Sequence, residues 1–352
     1  MRSSIRHESS MSKRAFLIGG TGQIGIATAS RLIAEGWKVV LGSRNGACLP
    51  EDLRDRGVVL RRFDRSKTSE LRAALGEGCD LLIDTVAFDA VHSRQLLDLS
   101  EDVGRMVVVS SASVYCDQDG RTLDEACENG FPELPVEMSE EQPSVDAGPA
   151  TYSTRKIAME RALLDGASTP VAVLRPCAIH GPYSSHPREW WFVKRILDGR
   201  PVIPLAYEGR SRFQTSATAN IAALISAIET SNGSGIFNAV DPDAPSVLQI
   251  GEAILDACGA NAAFAPVDDA TYPPTIGTTP WSVPKPFILS DRKSRSLGYF
   301  PKGTYSETVA ESCAWLLRHS AQGWEDRFVQ LAAYPYDLFD FQAEDRWLAA
   351  NG

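Results

Sequence analysis

Tyr152 and Lys156 stand four residues apart in Tyr152-Ser153-Thr154-Arg155-Lys156, a spacing that puts both on one face of a helix. A phenol with a pKa near ~10 is a poor base at neutral pH. A neighbouring ammonium stabilises the phenolate and brings it into range for proton transfer. Alone, the same spacing fits an ordinary surface helix. A second chemical stretch is Ser110-Ser111-Ala112-Ser113-Val114-Tyr115, whose hydroxyls follow an apolar run; serines in such a place also satisfy turn backbone. The third is Ala15-Phe16-Leu17-Ile18-Gly19-Gly20-Thr21-Gly22-Gln23-Ile24-Gly25. Gly22 leaves room for a pyrophosphate at a helix N-terminus, where unpaired N–H groups and the helix dipole attract anions. Gly25 permits close helix packing. A plain tight turn is the alternative, and a strand before it with a helix after it is the context that discriminates.

The elements that must position these residues alternate in type. Ala15–Ile18 predicts a buried strand and Gln23 to about Glu35 a helix. Further strands are predicted over 37–42, 58–63, 79–87, 105–110 and 171–174, and a helix from Tyr152 to about Leu164. Near-continuous apolar strands separated by helices imply an α/β fold, a doubly wound parallel sheet covered on both faces. Ligands of such sheets bind at the strands' carboxyl ends, near the switch point. Ser43-Arg44 ends the second strand, where an acidic residue would hydrogen-bond an adenine ribose. A guanidinium there suits a 2′-phosphate, so the expectation is NADP ahead of NAD. Arg44 pointing into water is the alternative. Asp64, ending the third strand, either accepts from adenine or caps the next helix.

The 352 residues suffice for one large domain with a smaller lobe. A net charge of −10 disfavours nucleic acid and anionic membrane as partners. No apolar run reaches spanning length, and the polar N-terminus lacks a signal peptide's apolar stretch. Met11 is a candidate natural start. The seven cysteines (Cys48, Cys79, Cys116, Cys127, Cys177, Cys258, Cys313) make neither a C-x-x-C pair nor zinc spacing. They read as reduced packing residues of a cytoplasmic protein, and no metal is expected.

In this order the three stretches resemble the short-chain dehydrogenase/reductase superfamily. The spacing Gly19-x-x-Gly22-x-x-Gly25, the Val114-Tyr115 ending and Leu174-Arg175-Pro176-Cys177-Ala178-Ile179-His180-Gly181-Pro182 are similar to its extended branch, the NAD(P)-dependent epimerase/dehydratase-like proteins. Gly235–Val240 and Ser290–Lys293 through Leu297-Gly298 and Pro301 look like that branch's substrate lobe, so the resemblance covers roughly residues 13–317. It implies a Rossmann-type domain over 13–180 after a disordered extension at 1–12. A mainly substrate-binding lobe follows over 181–320, with some segments returning to the first domain. It also implies catalytic Ser111, chosen over Ser110 and Ser113, with Tyr152 and Lys156. The cofactor would meet Gly19, Thr21, Gly22, Gln23, Ile24, Gly25, Ser43, Arg44, Asp64, Ala87, Tyr152, Lys156 and Pro176. The family suggests a homodimer through the Tyr152 helix.

Departures narrow the expectation. Ala112-Ser113 replace the acidic pair of sugar-nucleotide 4,6-dehydratases, which disfavours that dehydration. Arg212 stands where sugar-nucleotide enzymes place a phosphate-binding arginine, yet Ala219-Asn220 replace the acidic pair that follows; a structural salt bridge is its alternative role. Ser113, Arg212, Trp190 and Trp191 are the candidate substrate contacts, lobe packing being the alternative for the tryptophans. The long acidic connection 117–150 joins the two catalytic stretches and must pass near the site. Residues 321–352 form an aromatic-rich tail expected to dock on the body or on a second subunit. The reading is an NADP-dependent oxidoreductase, reductase or epimerase, moving hydride between nicotinamide and a carbonyl or hydroxyl carbon of a small polar substrate. The competing reading is a non-catalytic NADP-sensing protein, which has no need of the complete Ser/Tyr/Lys set.

Overall fold

The computed structural model describes residues 12–44, 49–319 and 323–351. Residues 1–11 of the expected disordered extension, and Cys48, lie outside the described residues. Eleven strands occur among them: β1 (Arg14–Ile18), β2 (Lys38–Ser43), β3 (Val59–Arg62), β4 (Leu81–Asp84), β5 (Met106–Val109), β6 (Val171–Pro176), β7 (Ala178–His180), β8 (Val202–Ala206), β9 (Thr215–Ala217), β10 (Gly235–Ala239) and β11 (Ala263–Val267). Seven form one parallel sheet in the order β10-β6-β5-β4-β1-β2-β3. The order reverses between β1 and β4, where Ile18 lies beside both Gly42 and Asp84. This is a Rossmann-type, doubly wound α/β fold.

Alternation along each strand explains the all-apolar sequences. Ala15, Leu17, Leu81, Ile83, Val107, Val109, Ala172 and Leu174 enter one core, with residues of helices Gln23–Ala34 and Thr218–Ser231. Phe16, Ile18, Leu82, Met106, Val108, Val171 and Val173 enter the other, with residues of helices Thr68–Leu75, Ala90–Leu97 and Tyr152–Gly166. Each face is thus removed from water, as a parallel sheet requires. The fourth strand is shorter than the expected 79–87, because after Asp84 the chain turns away: the Thr85 hydroxyl donates back to the Ile18 and Gly19 carbonyls.

Beyond β6 the chain builds a second core, then returns. Helix Thr218–Ser231 and strand β10 rejoin the main sheet. The second core gathers Trp190, Trp191, Phe192, Val247, Ile250, Trp281, Tyr305 and Trp315. The aromatic tail docks on it: Phe328, Leu331 and Leu338 are buried there, and the buried Arg195 donates to the Leu338 carbonyl at 3.0 Å and to Glu344. Among the described residues no helix is long and apolar enough to cross a membrane.

Candidate active site

The glycine turn is built by what a side chain would strike. Gly19 adopts φ +74°, and a Cβ there would lie 2.5 Å from Thr85 Oγ1. A Cβ on Gly25 would lie 2.5 Å from the Gly20 Cα and carbonyl oxygen, so this glycine lets the helix sit directly on the turn. Gly22 differs: its nearest neighbour would be the Gly19 carbonyl at 3.5 Å, leaving its face open. It precedes helix Gln23–Ala34, whose N-terminus has no side-chain cap and no acidic residue in the first turn. Those unpaired N–H groups and the open glycine face fit a dinucleotide's pyrophosphate.

A cleft of about 480 Å³ runs from this turn along the carboxyl ends of β1, β2 and β3, with Gly19, Thr21, Gly22, Ser43, Arg44 and Asp64 on its walls. Thr21 donates to the Ser43 hydroxyl at 3.1 Å, tying the turn to β2. Ile24 instead joins the sheet core. Gln23 faces a separate cavity of about 380 Å³ shared with Pro182 and Thr218. Pro176 is buried at the end of β6, paired in register with Ala239.

Val86 lines the same cleft, and the next residue, Ala87, holds Lys156. Lys156 is only 6% exposed; its Nζ donates to the Ala87 carbonyl at 2.7 Å and the Val109 carbonyl at 3.1 Å. Burial pulls its pKa down to about 8, with Asp84 and Glu160 opposing the fall. An ammonium has three N–H donors, and these two bonds leave one for another partner. Lys156 Nζ lies 5.6 Å from the Tyr152 ring centroid, and that ring also packs 5.5 Å from Phe88. Tyr152 is 43% exposed, yet partial desolvation lifts its phenol above the usual range; the neighbouring Ser111 hydroxyl opposes this and Asp124 adds to it.

Helix Tyr152–Gly166 begins where it does because Thr151 and Thr154 cap it reciprocally, at 3.2 and 2.9 Å. Its buried face carries Lys156 and then Glu160. Glu160 is 1% exposed; it accepts from Arg175 at 3.1 and 2.5 Å and from the Ser110 hydroxyl. Ser110 is thereby engaged in the core, while the half-buried Ser111 faces Tyr152.

Several site residues gave no local signal. Arg65 and Asp84 form a buried ion pair at 2.6 Å beside the cleft. Asp124, within the acidic connection, accepts from Ser153 N at 3.0 Å and from Ser153 Oγ at 2.5 Å. Glu160 was recoverable: it continues the Tyr152, Lys156 helical face by another four residues.

The candidate substrate contacts scatter. Ser113 stays at the site, 3.0 Å from the Ser111 hydroxyl. The exposed Arg212 donates to the Ala244 carbonyl at 2.8 Å and lines a different cavity, of about 580 Å³, with Gln214 and Asp243. Trp190 and Trp191, 1% and 0% exposed, pack inside the second core, where the tail's Phe328 lies against Trp190 and Arg195, one turn along the same helix, lies over Trp191.

Residues 15–238 match the model of the NAD dependent epimerase/dehydratase family. A chloroplast stem-loop binding protein of 41 kDa b from Arabidopsis thaliana is 25% identical over 204 residues, 55% of this chain and 49% of that protein. The chain thus spans about half the length of this curated relative. A UDP-galactose 4-epimerase structure superposes with TM-score 0.63 at 19% identity, over 87% of this chain and 99% of that one. The WbmH enzyme of Bordetella bronchiseptica, solved with NAD+, does so with TM-score 0.65 at 18% identity, over 88% and 100%.

The expectation of NADP is overturned. The matching family is NAD dependent by its description, and the similar structures of WbmH, WbmG and MoeE5 are complexes with NAD. The physical reason is that Arg44 does not act alone. It is exposed, and Asp64 lines the same cleft. The Asp64 carboxyl is ionised at neutral pH, and hydrogen bonds from Ser66, with Lys67 and Arg44 nearby, lower its pKa further; this negative charge opposes a 2′-phosphate. With its parallel sheet, glycine turn and family match over well more than half its length, this chain belongs to the NAD dependent epimerase/dehydratase family.

Proposed function

We propose that Ser111, Tyr152 and Lys156 carry the proton-transfer half of an NAD-dependent reduction or epimerisation at a carbonyl or hydroxyl carbon of a small polar substrate. The observation that carries the reading is their convergence: the Ser111 hydroxyl beside the Tyr152 phenol and the Lys156 ammonium 5.6 Å from the same ring. Gly19, Gly22 and the first turn of helix Gln23–Ala34 would hold the pyrophosphate, with Ser43 and Asp64 along the rest of the cleft. Bound there, NAD supplies or accepts the hydride.

The protein groups do the remainder. Tyr152, raised above its usual pKa by partial desolvation, is a phenol at neutral pH, the form that protonates a carbonyl oxygen as hydride arrives. Ser111 holds the tyrosine oxygen and offers a hydroxyl to the same substrate oxygen. Lys156, with its spare N–H, steadies negative charge as the phenolate forms and is available to a ribose hydroxyl. In the oxidative direction the same phenolate removes the proton.

The division into a dinucleotide domain over 13–180 and a substrate lobe over 181–320 is part of this reading, as is a homodimer through the Tyr152 helix. The Arabidopsis relative is named for stem-loop binding; the net charge of −10 here supports the enzyme reading over nucleic-acid binding. The test is a screen of purified protein with NAD+ or NADH against carbonyl compounds and sugar nucleotides, UDP-glucose and UDP-galactose among them. With a substrate in hand, Tyr152→Phe should slow turnover roughly 10²–10⁴-fold while calorimetric NAD+ affinity changes little. Turnover by Tyr152→Phe at the parental rate refutes the assignment.

A further inference from the structure

A line of hydroxyls begins beside Tyr152. Ser111 faces the phenol, and the Ser111 hydroxyl meets that of Ser113 at 3.0 Å. Ser113 meets the Ser153 hydroxyl at 3.0 Å, and Ser153 donates to the Asp124 carboxylate at 2.5 Å. Ser153 is fully buried, whereas Asp124 is exposed. The line therefore leads from beside the reacting phenol, through the half-buried Ser111 and Ser113 and the buried Ser153, to a carboxylate in water. Asp124 belongs to the acidic connection 117–150, which is held in place independently: Asp117 accepts from the backbone N–H groups of Asp119, Arg121 and Glu133 and from the Arg121 side chain.

We propose that Ser111, Ser113 and Ser153 form a proton relay between Tyr152 and Asp124, and that Asp124 is its solvent terminus. In the reductive direction the Tyr152 O–H bond breaks as its proton goes to the substrate oxygen. Ser111 then gives its proton to the phenolate, Ser113 to Ser111 and Ser153 to Ser113, and Ser153 is refilled by Asp124 after its carboxylate has taken a proton from water. One proton enters from solvent for each one delivered, and no electron moves along the line. The oxidative direction runs the same transfers in reverse and deposits the proton on the Asp124 carboxylate. A substrate covering the phenol from the cleft leaves this route open, because it departs beneath the helix N-terminus. The proposal gives the acidic connection a positioning role for the chemistry, and it rests on the role proposed above for Tyr152.

Two experiments test it, and the first needs no substrate. With 3-fluorotyrosine placed at position 152, 19F NMR follows phenol ionisation in NAD+-saturated protein. Asp124→Asn retains an oxygen for the Ser153 N–H but removes the charge, so the midpoint should move to lower pH; Asp124→Glu should restore it. An unchanged midpoint in Asp124→Asn overturns the coupling whether or not the protein is an enzyme. The second uses whichever compound of the screen is turned over. Ser153→Ala interrupts the line while leaving the Asp124 charge, so kcat should fall about tenfold or more, with KM held and a larger solvent deuterium isotope effect. Parental kcat and isotope effect in Ser153→Ala overturn the relay, even where Tyr152→Phe is inactive.

Discussion

Replacing Glu160 with leucine isolates the ion pair beneath both catalytic stretches. Glu160 and Arg175 are 1% and 3% exposed, and the guanidinium makes two bonds to the carboxylate, at 3.1 and 2.5 Å. In Glu160→Leu, Arg175 keeps the Tyr115 ring, 4.8 Å away, but loses its counter-charge in a place water does not reach. Ser110 loses its acceptor as well. Removing one partner of a buried pair costs about 3–5 kcal/mol, and the unpaired hydroxyl adds about 1 kcal/mol more. Urea unfolding should therefore show a loss of at least ~3 kcal/mol. Glu160→Leu with Arg175→Leu should recover most of it, since apolar replacements of a whole buried pair are commonly near neutral. A second consequence is electrical: Glu160 helps hold up the Lys156 pKa, so the single variant should titrate Lys156 at lower pH. Stability losses in the single and double variants that are equal, or a single-variant loss below ~1 kcal/mol, would refute this account.

Other outcomes follow from the same geometry. Burial holds the folded Lys156 pKa down to about 8, against the 10.5 of an unburied lysine. Between those pH values the unfolded chain binds the extra proton, so its burial penalty is complete below pH 8 and is relieved as pH rises towards 10.5. Parent minus Lys156→Met stability should therefore increase with pH across that window, by on the order of 3 kcal/mol, measured by urea unfolding. Gly25→Ala drives a Cβ into backbone atoms of Gly20 at 2.5 Å and should cost about 1–3 kcal/mol together with NAD+ affinity. Gly22→Ala has open space around it, so calorimetry should show weakened NAD+ binding with nearly parental stability. Glu344→Leu strands the buried Arg195; unfolding should lose about 3–5 kcal/mol, while NAD+ affinity stays parental because the tail packs on the second core.

The correction of the cofactor shows where a single charge misleads. Arg44 at the end of β2 is one cation in a cleft whose wall also carries Asp64. Residues twenty apart in sequence share that wall only after β2 and β3 pair, so their opposed charges could not be weighed from the β2 segment alone. The tryptophan pair shows the converse. Two adjacent large apolar residues after β6 are compatible with a pocket wall, and the docking of the tail's Phe328 on Trp190 makes this place core.

By itself the sequence determined the parallel, doubly wound sheet, because uninterrupted apolar strands separated by helices have few other ways to bury both faces. It also determined the glycine turn, where local sterics suffice, and the shared helical face of Tyr152 and Lys156, which is periodicity alone. Tertiary structure decided everything that depends on distant segments meeting. The Arg175 partner of Glu160 comes from β6, the Asp84 partner of Arg65 from β4, and Asp124 reaches Ser153 from a long connection without a repeating pattern. Periodicity constrains neighbours along one element; it carries no information about which charged group from another element will fill a buried valence. That pairing is settled when the chain closes, because a charge left alone in the interior is too costly to persist.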